Sequence, residues 1–151
     1  MFLVPRSLYP RFLEIMTPRV QNLRLGPSAD VGSLISSTPI AKLQSLLNNA
    51  EKEGARILAG GKAFSHPDHP KGAYFQPTLL ADVKLDMEIA QTELFAPVMT
   101  VVPYEDADVE ITVQRLNKSN FGLGAGVYGK DRAECRRVAE ALQCGMVAIN
   151  E

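Results

Sequence analysis

Glu93-Leu94-Phe95 sets a carboxylate and an aromatic ring two positions apart. In an extended segment, positions i and i+2 point to the same side. A carboxylate can accept hydrogen bonds from two hydroxyls at once, and an aromatic face beside it can pack on a flat ring. The pair therefore suits a sugar diol that carries a flat ring, as a nucleoside does. The plainer reading of the same residues is a solvated glutamate and a core phenylalanine just ahead of a buried strand. Exposed carboxylates and buried phenylalanines are what globular proteins mostly contain.

Other residue types suggest chemistry and do not sustain it. Cys135 and Cys144 could be nucleophiles, but a reactive thiol needs access, a lowered pKa and an activating neighbour. Cys135 falls on the apolar stripe of a helix, and Cys144 sits at that helix's end, before Gly145. Both read as structural. His66 and His69 flank Asp68 in a proline-bounded stretch, and they are the chain's two histidines. A catalytic zinc site needs three protein ligands, so no metal is expected there. Gly122-x-Gly124-x-Gly126 has the wrong spacing for a dinucleotide fingerprint and leads into a strand instead of opening a helix. Glycines along a strand let another backbone approach closely. Asn117-Lys118-Ser119 fits a glycosylation sequon, yet nothing indicates secretion.

The elements that must position these residues alternate between helix and strand. Pro10 to Asn22 predicts a helix with Phe12, Ile15 and Met16 on one face, kinked or stopped at Pro18. Gly26 to Asp30 is a loop. Thr38 is expected to cap a helix near 39–53 with Pro39 at its first position. Its apolar stripe is Ile40, Leu43, Leu46, Leu47 and Ala50, and Gly54 ends it. Arg56 to Ala59 is a short strand stopped by Gly60-Gly61, and residues 62–73 read as a polar loop. Tyr74 to Leu80 is extended, and Asp86 to Ala90 forms a helical turn. Pro97 to Tyr104 is the strongest strand, almost continuously apolar as a strand buried on both faces should be. Helices near 107–117 and 132–142 alternate with strands at Leu123–Tyr128 and Met146–Ile149. Asp131 and Glu134 form a capping-box variant at the start of the last helix. Cys135, Val138, Ala139 and Leu142 lie along its buried face. These alternations predict an α/β fold, with the three strands in one mostly parallel sheet and helices packed on it.

At 151 residues the chain is one ordinary domain in length. With 46% hydrophobic and 22% charged residues it is typical of a globular protein. A net charge of −1 gives no electrostatic footprint for nucleic acid. No apolar run is long enough to span a bilayer. Met1 to Arg6 is too short for a secretory h-region and reads as a strand or a cut chain end. Two cysteines make no disulfide framework, so the default compartment is reducing, hence cytoplasmic.

Three stretches in order carry a resemblance. The first runs from Gly72-Ala73-Tyr74-Phe75-Gln76-Pro77-Thr78-Leu79-Leu80 through Asp86-Met87-Glu88-Ile89-Ala90 to Glu93-Leu94-Phe95-Ala96-Pro97-Val98. The second is Asn117-Lys118-Ser119-Asn120-Phe121-Gly122-Leu123-Gly124-Ala125-Gly126-Val127-Tyr128, and the third Gly145-Met146-Val147-Ala148-Ile149-Asn150. Together they resemble the catalytic domain of NAD(P)-dependent aldehyde dehydrogenases, and the likeness extends back through Gly60-Gly61 and Lys52-Glu53-Gly54-Ala55 to about Tyr9. Ala96 stands where the family usually has glycine, which restricts the backbone there.

The resemblance implies that residues 1–151 are an internal part of the catalytic domain. It places the family's nucleophilic cysteine, general-base glutamate and Rossmann-like cofactor domain upstream, and the oligomerisation strand downstream. No catalytic residue is therefore expected in this chain, and alone it should be inactive. In a complete member a thiolate attacks an aldehyde, a hydride passes to the nicotinamide, and water releases the acid. Glu93 would bind the nicotinamide ribose and Phe95 would pack against the nicotinamide. NAD or NADP would be the cofactor, an aldehyde the substrate, and a homo-oligomer the usual assembly. The competing reading is a non-enzymatic truncated remnant docked on another chain. A related acyl-phosphate reductase is a weaker third, disfavoured by Glu-x-Phe-x-Pro-Val.

Overall fold

The computed structural model describes residues 1–151. They form two compact units, Met1–Pro103 and Tyr104–Glu151.

In the first unit, β1 (Phe2–Pro5) leads into α1 (Tyr9–Gln21), α2 (Thr38–Lys52) and β2 (Arg56–Ala59). Next come β3 (Ala63–His66), β4 (His69–Phe75), β5 (Thr78–Ala81), a 3-10 turn over Glu88–Ala90, and β6 (Val98–Tyr104). The main sheet has the order β1-β6-β5-β2. β5 and β6 run parallel, with Thr78 opposite Val98 and Leu80 opposite Thr100. β2 is antiparallel to β5. The near-continuous apolar character of β6 reflects burial of Thr100, Val101 and Val102 in succession.

Val4, Tyr9, Val20, Ala59, Leu79 and Val101 form a core on which Phe12, Leu13 and Met16 of α1 pack. Positions 9, 12, 13, 16 and 20 make one helical stripe. Ile15, expected on that face, lies off the stripe and is 37% exposed. Pro18 does not stop α1, which continues to Gln21. It falls in the last turn, where its missing N–H costs one bond, and its carbonyl still accepts from Asn22 N–H at 3.1 Å. Thr38 is itself helical. The flanking residue is Ser37, which makes no side-chain cap, and Pro39 is tolerated in the first turn. Leu43, Leu46, Leu47 and Ala50 of α2 are buried, and α2 packs on the 3-10 turn segment, where Leu85, Met87 and Ile89 are also buried.

Residues 62–73 are not a loop. β3 and β4 pair antiparallel, with Ala63 opposite Phe75, Phe64 opposite Tyr74 and His66 opposite His69. Pro67 and Asp68 form the two-residue turn, where proline pre-sets the backbone. Ring contacts then zip the ribbon: Phe64 meets Tyr74 edge-on, and His66 packs beside Tyr74 and His69. The prolines and histidines that suggested a loop sit at the turn and along a two-stranded ribbon, whose edges tolerate them.

A part-buried polar link fixes the end of β5. Tyr9 Oη donates to Asp82 Oδ1 at 3.0 Å and accepts from Asp82 N–H at 2.6 Å. Asp82 has φ +57° and also pairs with Arg56. Burial pushes the Tyr9 phenol up from 10 to about 12. The protonated phenol therefore contributes in full below the unfolded value near 10, and the contribution is lost as pH rises through 12. Tyr9→Phe should cost about 1–2 kcal/mol at neutral pH. Between pH 10 and 12 it should also flatten the fall in stability seen with the parent. Urea unfolding at a series of pH values checks both, and equal alkaline slopes in the two proteins would contradict the assignment.

In the second unit a 3-10 turn (Asp106–Asp108) precedes α3 (Val109–Leu116), β7 (Gly124–Val127), α4 (Arg132–Ala141) and β8 (Met146–Ile149). β7 and β8 are parallel and in register from Gly124–Met146 to Val127–Ile149. Asp131 caps α4, accepting from Ala133 N–H at 2.8 Å and Glu134 N–H at 3.2 Å. Asn117 staples the ends of the two helices: its Nδ2 donates to the Ala141 carbonyl at 2.8 Å and its Oδ1 accepts from Gln143 N–H at 2.9 Å.

The α/β class holds, and the strands joined by crossover connections, β5–β6 and β7–β8, pair parallel. The grouping expected for the strands does not hold. β6 belongs to the four-stranded sheet, while β7 and β8 form a separate pair. β6 is flanked by β1 and β5 on its two edges, so it has no free edge for β7 or β8.

Candidate functional site

Glu93 and Phe95 lie on the connector between the 3-10 turn and β6. Glu93 is exposed, Leu94 is half-buried, and Phe95 is 79% exposed. This alternation is what an extended run with one side facing out produces. The core reading of Phe95 is therefore wrong. The apolar side chain that anchors the run is Leu94, and the ring beside the carboxylate faces solvent. An isolated exposed aromatic is common, but one paired with an exposed carboxylate offers a combined polar and apolar surface.

The connector is tied at both ends. Upstream, Gln91 Nε2 donates to the Leu85 carbonyl, and Thr92 Oγ1 donates to the Glu88 carbonyl at 2.8 Å. Downstream, the Pro97 carbonyl accepts from Thr78 N–H at 2.8 Å, and Val98 N–H donates to the Ala96 carbonyl at 2.7 Å. Ala96 thus takes part in a tight turn at the entry to β6 without needing glycine's positive φ. Gln91 and Thr92 lie between the motif stretches and belong to neither. The spacing of Thr92 four residues after Glu88 is the one clue, since a hydroxyl at i can bond the carbonyl at i−4.

The remaining candidates fall elsewhere. Cys135 is buried, with its sulfur against Gly129, and Cys144 is half-buried, its thiol facing the Met146 carbonyl at 3.6 Å. His66 accepts from Asp68 N–H through Nδ1 at 3.2 Å, which uses one of its ring nitrogens. No cluster of three or more metal-ligating side chains forms. Gly122 closes tightly on the Gln143 carbonyl, which would lie 2.9 Å from an added Cβ. This is the close backbone approach expected of that glycine run. Two surface cavities, of about 440 and 350 Å³, are lined by neither Glu93 nor Phe95. No helix is long and apolar enough to cross a membrane.

Comparison with known proteins gives a consistent result. The sequence model of the aldehyde dehydrogenase family matches residues 1–151. An aldehyde dehydrogenase-like protein of Saccharomyces cerevisiae is 40% identical over 157 residues, which cover 99% of this chain and 24% of that protein. The 4-trimethylaminobutyraldehyde dehydrogenase of Oryzias latipes is 36% identical over 97% of the chain and 30% of its own length. Among solved structures, a betaine aldehyde dehydrogenase of Staphylococcus aureus in complex with NAD+ superimposes with a TM-score of 0.88. It is 35% identical, and the match covers 99% of this chain and 31% of that one. The chain thus spans about a quarter to a third of the length of these relatives.

Proposed function

Because the chain belongs to the aldehyde dehydrogenase family, we propose that residues 1–151 are part of the catalytic domain of an oxidoreductase that converts an aldehyde to a carboxylic acid with NAD or NADP. On this reading Glu93 and Phe95 form one wall of the nicotinamide riboside site. The observation that carries it is the joint exposure of the Glu93 carboxylate and the Phe95 ring on one short connector. The surface offers what a riboside requires: two acceptor oxygens for its two hydroxyls, and an aromatic face for its base. Held there by Glu93 and Phe95, NAD(P)+ would supply the hydride acceptor for aldehyde oxidation.

The residues of this chain bind and orient. Glu93 holds the ribose through charge-assisted hydrogen bonds. Phe95 limits where the nicotinamide ring can lie and keeps water off one side of it. Leu94, facing inward, fixes the connector between them. The substrate partner is an aldehyde of unspecified structure. Two free cysteines fit a reducing compartment such as the cytoplasm.

Phe95→Ala tests this reading. In the full-length enzyme that carries this chain, it should weaken NAD+ binding roughly fivefold, about 1 kcal/mol for a lost aromatic contact. Saturation-transfer NMR on bound NAD+ should show the nicotinamide protons losing the aromatic contact and the adenine protons keeping theirs. An unchanged nicotinamide signal in Phe95→Ala would remove Phe95 from the site.

A further inference from the structure

We infer that Gln91 and Thr92 are positioning residues that aim Glu93 and Phe95 at the cofactor. This inference rests on the nicotinamide reading of Glu93 and Phe95 given above. Both side chains donate backward, to carbonyls of the segment immediately upstream. Thr92 reaches the Glu88 carbonyl, and Gln91 reaches the Leu85 carbonyl, six residues back. Their acceptors sit in the best-anchored stretch near the site, because Leu85, Met87 and Ile89 are buried there. Lys84 N–H also faces Met87 Sδ, which folds the stretch onto itself.

Glu93, Leu94 and Phe95 themselves donate no backbone hydrogen bond to the rest of the chain. Their placement is set by the two ends of the connector and by the half-buried Leu94. The downstream end is fixed by β6 and the Thr78–Pro97 bond. The upstream end has no strand to hold it. Its last backbone bond is Gln91 N–H to the Glu88 carbonyl at 3.0 Å, and beyond that the Gln91 and Thr92 side chains hold it, next to the carboxylate they aim. Loss of either would let φ and ψ at 92 and 93 rotate, and the carboxylate and ring would then seldom face the same ligand together. The cost appears as cofactor affinity and geometry, since ordering the connector would then fall to the ligand.

The test uses the full-length enzyme that carries this chain. Thr92→Val keeps the shape and removes the donor; Gln91→Glu replaces a donor with an acceptor that cannot bond the Leu85 carbonyl. Each should weaken NAD+ binding and slow hydride transfer about three- to tenfold, with aldehyde KM changed less than about twofold. Amide exchange at 93–95 should speed up in both while β6 amides stay protected, which separates a loosened connector from general unfolding. Thr92→Ser, which keeps the hydroxyl, should restore affinity and slow exchange; a merely space-filling threonine would be replaced better by valine than by serine. If Glu93→Gln weakens NAD+ while Thr92→Val and Gln91→Glu bind it like the parent, the positioning inference is overturned and the nicotinamide reading stands. If Glu93→Gln also binds NAD+ like the parent, the nicotinamide reading fails and takes this inference with it.

Discussion

On the proposed reading of Glu93, Glu93→Gln in an aldehyde dehydrogenase that contains residues 1–151 should slow hydride transfer at least tenfold and leave aldehyde binding close to unchanged. The substitution keeps the size and shape of the side chain. It replaces a charged acceptor with a neutral amide that has one acceptor oxygen in place of two. Hydrogen bonds to a charged group contribute about 1.5–3 kcal/mol each, against about 1 for neutral pairs. Loss of the difference at the ribose therefore corresponds to roughly tenfold or more. Hydride transfer needs the donor carbon and the nicotinamide close and aligned, so a loosened ribose lowers the rate of that step more than it weakens aldehyde binding. The Glu93 carboxylate is exposed, so the substitution should leave folding intact and not confuse the result. A pre-steady-state burst of reduced cofactor is the measurement. An unchanged burst rate and unchanged cofactor affinity would return Glu93 to a solvated surface carboxylate.

A substitution far from any ligand should have the larger effect on folding. Gly60 has φ +68°, and a Cβ added there would lie 2.1 Å from the Pro77 carbonyl oxygen and 2.8 Å from Thr78 Oγ1. Neither neighbour can yield cheaply. The Pro77 carbonyl is backbone, and Thr78 Oγ1 is held between the Gly61 N–H at 2.9 Å and the Gln76 carbonyl at 2.7 Å. Gly60→Ala therefore combines left-handed backbone strain, about 1–2 kcal/mol, with overpacking of about 1–3 kcal/mol, for a total near 2–5 kcal/mol. The disturbance should spread to the site, because Thr78 N–H bonds the Pro97 carbonyl at the downstream end of the Glu93–Phe95 connector. Urea unfolding of the chain gives the stability, and amide exchange at Thr78 reports the spread. A midpoint equal to the parent's would mean that the turn relaxes around the methyl group and that the close approach is not fixed.

Much of the second unit was legible from short-range signals. Asp131 caps α4 because its carboxylate reaches N–H groups two and three residues on, a distance that chain geometry alone fixes. β8 runs from Met146 to Ile149 as read, bounded by Gly145. The buried stripe of α2 followed from helical period, and β6 from a run of apolar β-branched residues. The ordered motifs from Gly72 to Asn150 resemble one family, and residues 1–151 match that family.

What local signals leave open has one physical cause, contact between residues distant in the chain. Residues 62–73 form a hairpin because Phe64, His66, His69 and Tyr74 meet across the strands, and cross-strand neighbours are not adjacent in sequence. β6 lies between β1 and β5, so the alternation of helix and strand after it could not say which sheet β7 and β8 would join. For Phe95 the sequence leaves two readings open, a ring beside Glu93 and a core residue. Its type argues for the core, yet Leu94 takes the inward side of the connector and leaves the ring in solvent beside Glu93. Outside residues 62–73, the sequence determined where the local elements lie, which side chains alternate along them, and which family motifs stand in what order, because backbone sterics, capping and periodicity act within a few residues. Only the tertiary structure decided which strands pair, which face of the connector is buried, and that Gln91 and Thr92 tie it down, because edge saturation and side-chain burial depend on residues brought together from distant parts of the chain.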